Sequence, residues 1–294
     1  MFYFTFYISR LVAAALSLCA MTFLAAFETL AEQDSSPTAA PKAASSANPS
    51  PELERRKQAS APTGEASFEN SVGMKFTYIP PGDFLFGSPA DDRHEGEFPQ
   101  RPITIKGFHL GVYEVTQGEY ARVMGDNPSL FSRSGGGREV VAGKPTDLCP
   151  VDSVSSEMAE RFCRKLSQLS AEQAAGRTYR LPTESEWEYA CRAETKSPFH
   201  CGILLDVEYA HFSRQGSASP LPVGTRKPNP WGLHDMHGNL QEWCTHGDAF
   251  VLRGGSWRSQ SQDCRSASRF VPDSKTRAVT NGLRVLCETS ASSR

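Results

Sequence analysis

Two carboxylates flank a glycine-containing turn in the segment Asp235-Met236-His237-Gly238-Asn239-Leu240-Gln241-Glu242. Calcium takes about six to eight oxygen ligands, and a glycine lets main-chain carbonyls turn toward a bound ion. The segment predicts a calcium site, and the alternative is an acidic turn in solvent. Zinc is a weaker hypothesis. The four side chains that could hold it, His234, His237, Cys244 and His246, include one that falls inside the acidic turn.

Sulfur and hydroxyl groups offer a second kind of chemistry. The chain has eight cysteines, and seven of them follow the N-terminal apolar run. In an oxidising compartment they favour disulfides, and the odd number leaves at least one thiol unpaired or joined to another chain. Ser256 follows two glycines without a Gly-x-Ser-x-Gly elbow, so a hydrolase nucleophile is not indicated. His94-Glu95-Gly96-Glu97 lacks a helical setting and indicates an exposed acidic loop.

The N-terminal region predicts export. Arg10 precedes the apolar run 11–27, and the small residues Thr29 and Ala31 follow it. This pattern is typical of a secretory signal peptide over 1–31, and the alternative is an uncleaved membrane anchor. Either interpretation places the remainder outside the cytoplasm. Residues 32–65 are rich in Ala, Ser and Pro with Leu53 as the only large apolar side chain, which predicts a disordered linker.

Residues 66–288 have the patterning of one folded domain, followed by a tail over 289–294. Met74–Ile79 alternates like a half-buried strand, and the turn at 80–83 predicts a hairpin with Phe84–Gly87. Short strands are also predicted at Phe250–Arg253 and Leu283–Leu286. The 23 glycines and 20 prolines favour long loops. The net charge of −2 shows no basic surplus, so a nucleic-acid partner is not expected.

Three segments carry helical spacing of apolar residues. We predict helices over Glu114–Met124 with Thr116 as a possible N-cap, over Ser155–Leu169 with Ser155 as N-cap, and over Thr183–Arg192. In the last segment Glu186 stands three residues after Thr183, which is the spacing of a capping box. Together with the strands, these helices predict an α+β domain of low regular secondary structure.

Eight short blocks occur in a recognisable order along the domain. They are 113–117 (YEVTQ), 127–129 (NPS), 180–190 (RLPTESEWEYA), 229–233 (NPWGL), 238–239 (GN), 242–243 (EW), 253–257 (RGGSW) and 282–285 (GLRV). In these blocks the sequence resembles the sulfatase-modifying-factor family, which includes formylglycine-generating enzymes. The resemblance implies a single loop-rich α+β domain related to the C-type lectin fold.

The resemblance also implies a chemistry that this chain does not match. Formylglycine-generating enzymes oxidise a sulfatase cysteine using O₂ and a copper(I) ion, held by two thiolates five residues apart after the Gly-Gly-Ser block. In a gap-free alignment Ser259 falls at the first thiolate and Cys264 at the second. Aligned instead on 265–269, Cys264 takes a structural position and neither thiolate remains. Because copper(I) prefers soft thiolates to a hydroxyl, copper is not expected.

Further site residues follow from the resemblance alone. It implies a substrate groove formed by Ser256, Trp257 and Arg258, although Trp257 could instead fill the core. It implies calcium ligands Asp235 and Glu242 through side chains, and Gly238 and Leu240 through carbonyls. It also implies the disulfides Cys163–Cys287 and Cys191–Cys264.

Two functions remain open. One is a non-catalytic exported module that binds a peptide or protein partner. The alternative is an oxidase with a diverged metal site, converting a sulfatase cysteine to formylglycine.

Overall fold

The computed structural model describes residues 67–289 except 92, 93, 95, 214, 215, 217 and 274. The predicted signal segment 1–31, the predicted linker 32–65, residue 66 and the tail from residue 290 lie outside the described residues. Among the helices of the described part, none is long and apolar enough to cross a membrane.

Eleven strands form three small sheets in the described residues. The first sheet has the order β1-β2-β5-β11-β6, with β1 Ser67–Glu69, β2 Lys75–Ile79, β5 Phe108–Gly111, β6 Arg177–Arg180 and β11 Leu286–Thr289. The second has the order β10-β7-β8-β9, with β7 Gln241–His246, β8 Ala249–Arg253, β9 Arg269–Phe270 and β10 Asn281–Gly282. The third pairs β3 Gly82–Phe86 with β4 Arg101–Ile105.

The predicted hairpin between β2 and β3 is wrong. Both strands exist, but β2 pairs with β1 and β5, while β3 pairs with β4. The Tyr189 hydroxyl donates a hydrogen bond to the Pro80 carbonyl at 3.1 Å, so the turn is held against a helix and the chain leaves the first sheet. Alternating apolar and polar residues predict a strand and its buried face, but they do not identify the partner strand.

Within the described residues, four α-helices connect these sheets: α1 Gln117–Met124, α2 Ser156–Ser167, α3 Ser170–Ala174 and α4 Glu184–Arg192. The predicted caps are confirmed. Thr116 and Thr183 each accept from the backbone N–H three residues on, and Ser155 accepts from Met158 N–H. The predicted helix start at Glu114 is wrong, because α1 begins only after Thr116 and leaves the Glu114 side chain free to bond elsewhere.

The core consists mainly of two apolar clusters. Trp243 of β7 packs in the first cluster with Phe76, Phe162 and Leu166, and Trp187 of α4 packs in the second with Ile79 and other side chains. Both indoles are fully buried. Four short helices and three small sheets joined by long loops make a loop-rich α+β domain, as predicted. The β7–β8 hairpin carries the chain from this core into residues 254–270.

Candidate functional site

A double-glycine turn directly after β8 shapes the site. Gly254 and Gly255 have φ values of +89° and +69°, where side chains are rarely tolerated. A Cβ on Gly255 would lie 2.5 Å from Cys264 Sγ, so only glycine lets the loop 256–264 close this tightly. Beside this turn lies an open pocket of about 330 Å³. Its lining is His94, Glu97, Gln241, Leu252, Gly255, Ser259, Gln262, Asp263, Arg265, Ser268, Arg269 and Phe270.

The charged side chains of the pocket are largely paired with neighbouring groups. Arg265 Nη2 lies 2.6 Å from Glu97 Oε1, and Arg269 Nε lies 2.7 Å from Glu184 Oε1. Burial raises the pKa of Glu97, but hydrogen bonds from Ser88 and Arg265 outweigh it and hold the pKa below its ordinary value. Glu97 is therefore a carboxylate that fixes Arg265 across the pocket wall.

A buried ion-pair network supports this wall from below. Arg253 Nη2 lies 2.6 Å from Glu188, and Arg253 Nη1 lies 3.2 Å from Glu184, the partner of Arg269. Arg192 Nε lies 2.9 Å from Glu188. The Arg253 guanidinium and both glutamates are almost fully buried. Side chains paired in this way have fixed orientations, so the pocket wall is rigid rather than adaptable.

Only one of the two copper positions faces the pocket. Ser259 lines it, and its Oγ accepts the Ser256 N–H at 3.0 Å. Cys264 has no exposed surface at the end of the 3₁₀ helix Ser261–Cys264, and burial raises its pKa. No cysteine is among the described residues that line this pocket. Of the two alignments, this geometry favours the one that gives Cys264 a structural position.

The groove residues implied by the resemblance do not line the pocket. Ser256 and Trp257 are 1% and 3% exposed. The Trp257 ring packs edge-on against Phe131 at 5.6 Å in a fourth apolar cluster, which confirms the alternative that it fills the core. Arg258 is exposed and lies over the Trp257 ring at 4.4 Å.

Sequence reasoning missed most of the residues that do line the pocket. The sequence predicts an exposed acidic loop at Glu97, yet the Glu97 side chain is 3% exposed. Its arginine partner lies 168 residues further along the chain, so no local pattern could have paired them. The sequence signal that could have indicated this pocket is the presence of two arginines, Arg265 and Arg269, shortly after the Gly-Gly-Ser block.

The structure forms neither of the two expected disulfides. All seven cysteines among the described residues are free, and six are buried. Burial raises the pKa of Cys163, Cys191 and Cys287 to about 12. Burial therefore disfavours the reactive thiolate form at these three positions.

The acidic turn does not fit calcium as the resemblance implies. Glu242 has no exposed surface, and both its oxygens are occupied. Arg284 donates to Oε1 at 2.7 Å, and Trp187 donates to Oε2 at 2.6 Å. Arg284 Nε lies within 3.1 Å of both oxygens, so the lone pairs that calcium would need already accept hydrogen bonds. The guanidinium also supplies the positive charge that the calcium would contribute.

The other acidic groups at this turn are also bonded. Asp235 Oδ2 accepts the Gly224 N–H at 2.7 Å, and Glu114 accepts the Leu240 N–H at 2.8 Å. Burial raises the pKa of Glu114 well above its usual value, and the charges of Asp235 and Glu242 raise it further. No group of three or more His, Cys, Asp or Glu in the described part of the chain is arranged to hold a metal ion.

The four residues of the zinc hypothesis lie in separate environments. His237 Nδ1 bonds to the Cys264 carbonyl at 2.7 Å, and His234 Nδ1 bonds to the Arg226 carbonyl at 2.8 Å. His246 Nδ1 lies 3.0 Å from Glu184, and Cys244 is buried in the second cluster. The structure does not bring these side chains together.

Comparison with known proteins agrees with the blocks recognised in the sequence. The chain is 26% identical over 272 residues to the formylglycine-generating enzyme of Mus musculus, covering 68% of this chain and 72% of that protein. It is 26% identical over 278 residues to the inactive C-alpha-formylglycine-generating enzyme 2 of Mus musculus, covering 73% and 85%. It is also 27% identical over 241 residues to the chaperone protein LppX of Paenibacillus barcinonensis, covering 65% and 84%.

A solved structure and a family profile complete the comparison. PvdO from Pseudomonas aeruginosa superposes with a TM-score of 0.63 at 25% identity, covering 78% of this chain and 100% of that one. The profile of the sulfatase-modifying factor enzyme 1-like domain matches residues 64–289, close to the domain bounds inferred from the sequence. The chain therefore belongs to the sulfatase-modifying factor family.

Proposed function

We propose that this chain is an exported, non-catalytic member of its family that binds a peptide or protein partner. The observation that carries the proposal is the pocket beside the Gly254-Gly255 turn, which presents the Ser259 hydroxyl and no thiol. Copper(I) is held by soft thiolates, and a neutral hydroxyl does not replace one. Cys264 is fully buried, so it cannot supply the second ligand without rearrangement of the loop.

Two further observations support binding without chemistry. The pocket arginines already pair with carboxylates, so the walls are rigid and suited to recognition. One relative carries the name inactive C-alpha-formylglycine-generating enzyme 2, so a relative described as inactive is found among the proteins this chain resembles.

Anaerobic titration with copper(I) tests the absence of the oxidase site. The full chain is titrated beside a formylglycine-generating enzyme and assayed for aldehyde on a Cys-x-Pro-x-Arg peptide. We expect neither stoichiometric tight copper binding nor aldehyde, because the pocket lacks a thiolate pair. Ser259→Cys serves as a matched variant, and its single accessible thiol should still yield no aldehyde. Tight copper together with aldehyde from the unchanged chain would establish the alternative, an oxidase with a diverged metal site.

Export rests on the apolar segment 11–27 and the small residues before Glu32. Expression of the full chain in a secreting bacterial host should yield a mature protein that begins near Glu32. N-terminal sequencing of the product identifies the cleavage point. A product that retains Met1 and sediments with membranes would support the anchor, and one that retains Met1 in the cytosol would contradict export.

A further inference from the structure

Residues 199–207 form a surface loop with few ties to the rest of the domain. Within the described part of the chain, one hydrogen bond links this loop to a residue outside 197–209. The His200 N–H donates to His237 Nε2 at 3.1 Å. Phe199 and Leu205 are almost fully buried and supply the apolar contacts of the loop. A segment with so few anchoring contacts opens locally at a low free energy.

His237 accepts this hydrogen bond because it is neutral. Its Nδ1 lies 2.7 Å from the Cys264 carbonyl, which can only accept, so Nδ1 carries the ring proton. Nε2 therefore has a free lone pair and accepts the His200 N–H. Both ring nitrogens of His237 are committed, and the ring is fully buried.

The ring of His200 lacks such partners. It stacks on the His237 ring with the centroids 4.8 Å apart and the planes 20° apart, and Tyr209 packs against its edge. Both ring nitrogens of His200 are buried, and neither has a hydrogen-bond partner among the described residues. A neutral imidazole leaves one N–H unpaired at this site. An imidazolium would add a desolvated charge and a second unpaired donor.

The surroundings of the two rings do not compensate a positive charge. The groups that face them are Tyr209 from the loop region, Cys191 and Arg192 from α4, and Cys264 from the 3₁₀ helix. Arg192 is itself a cation and opposes a second one. Among the described residues, no carboxylate bonds to either ring. Burial accordingly lowers the pKa of His200 from 6.5 to about 4.

From these observations we propose that the 199–207 loop is released in acid, with the His200 side chain as its proton sensor. A proton on His200 is favoured when the ring leaves the buried stack and reaches water, so proton uptake and opening of the loop occur together. Opening breaks the single hydrogen bond to His237 and moves Phe199 and Leu205 away from the interior.

Release of the loop changes the surface of the protein. Ile203 and Leu204 are already 77% and 79% exposed in the closed loop. Opening adds Phe199 and Leu205 to them, which places four large apolar side chains on one short exposed segment. The acidic form therefore presents a contiguous apolar surface, and the neutral form presents the tip of the loop.

Hydrogen exchange of the full chain at pH 7 and pH 5, followed by mass spectrometry, tests the release. The reporter peptides contain the protected amides of Phe199, His200 and Gly202, and their exchange is normalised to the intrinsic rate at each pH. A sensor with a pKa of 6.5 in the open loop and about 4 in the closed loop should raise the opening constant by about 20-fold.

Two variants identify the sensor. His200→Phe keeps an aromatic ring in the stack and removes the titrating group, so its opening constant should change by less than about twofold between the two pH values. His94→Gln, at an exposed histidine, should keep the rise of about 20-fold. If His200→Phe does not fold, the wild-type protein still tests the proposal, because one proton predicts a rise of about sevenfold between pH 6 and pH 5.

Low concentrations of urea distinguish release of the loop from unfolding of the whole domain. Exchange in the loop should exceed that of β7 and β8 at both pH values and should respond weakly to urea, because a local opening exposes little surface. Exchange of the loop at the same opening constant and with the same urea dependence as β7 and β8 would overturn local release. An unchanged opening constant in wild type, or an equal rise in His200→Phe, would overturn the sensor.

Discussion

At the scale of single residues, the buried charges beneath the pocket carry the largest energetic consequences. Arg253 contacts two carboxylates and also donates hydrogen bonds to the carbonyls of Ala267 and Ser266, at 2.9 and 2.8 Å. A buried ion pair contributes little net stability compared with apolar packing, because its desolvation offsets the attraction between the charges. Loss of one partner is different, since it leaves the other charge buried and uncompensated.

Arg253→Met should therefore destabilise the protein by about 3–5 kcal/mol, because Glu184 and Glu188 lose a shared cation. Urea unfolding followed by circular dichroism measures the change. Arg258→Met is the matched control, since Arg258 is exposed and lies over a ring, and it should change stability by less than about 1 kcal/mol. Equal effects of the two substitutions would contradict the role assigned to the buried network.

His200 predicts an acid-sensitive contribution to stability. Its ring stacks on His237 at 4.8 Å, Tyr209 packs against its edge, and neither of its nitrogens has a hydrogen-bond partner among the described residues. Burial lowers the pKa of His200 from 6.5 to about 4. The unfolded chain therefore takes up a proton at a higher pH than the folded chain does.

The contribution of His200 to the free energy of unfolding is fully present above pH 6.5, and it is lost as the pH falls from 6.5 toward 4. At pH 5 the loss is on the order of 2 kcal/mol. Urea unfolding of wild-type protein and His200→Phe from pH 8 to 4.5 measures it, and the variant should show a shallower decline. His94→Gln, at an exposed histidine, should retain the wild-type slope. Identical slopes for His200→Phe and wild type would refute the assignment.

At the scale of elements, the capping box of α4 connects local sequence to the site. Thr183 accepts the Glu186 N–H, and the Glu186 side chain returns to the Thr183 N–H at 2.7 Å. The same helix carries Glu184 and Glu188, which anchor the pocket arginines. The start of α4 therefore determines where these carboxylates lie.

Thr183→Ala should lower the free energy of unfolding by about 1 kcal/mol and lower Tm by about 2–4 °C, because one backbone N–H in the first turn of α4 loses its acceptor. Differential scanning calorimetry gives the value. Thr183→Ser preserves the hydroxyl and should restore most of the loss. If serine and alanine were equally destabilising, packing of the threonine methyl group rather than capping would explain the effect.

At the scale of the whole molecule, Arg284 joins strand β11 to the acidic turn. Besides Glu242, its guanidinium donates to the carbonyls of Gly111, Val112 and His234 at 2.8–2.9 Å. Three carboxylates surround it, and burial raises the pKa of Asp235 as well as that of Glu114. One internal cation thus holds together segments from three parts of the chain.

Because Glu242 is already saturated, we expect the thermal midpoint to be the same in calcium and in EGTA. Calorimetry in both buffers measures the difference, and elemental analysis of the purified protein measures bound calcium. Magnesium serves as a control for general ionic effects. A midpoint that rises specifically with calcium, with stoichiometric metal in the protein, would restore the structural calcium implied by the family resemblance.

The sequence by itself determined the features that depend on neighbouring residues. The caps at Thr116, Ser155 and Thr183 follow from side-chain and backbone groups a few residues apart. The ordered blocks were sufficient to identify the family, and the serine at position 259 indicated that a thiolate pair was incomplete.

The tertiary structure alone decided the features that depend on distant partners. β3 pairs with β4 rather than β2, Glu97 meets Arg265 across 168 residues, and Arg284 saturates Glu242 across 42. A charged residue in the interior needs a partner, and alternating apolar residues need a buried face. Neither feature of the sequence identifies which distant residue or strand provides it. The fold makes that choice, because it satisfies all buried groups simultaneously and at close packing.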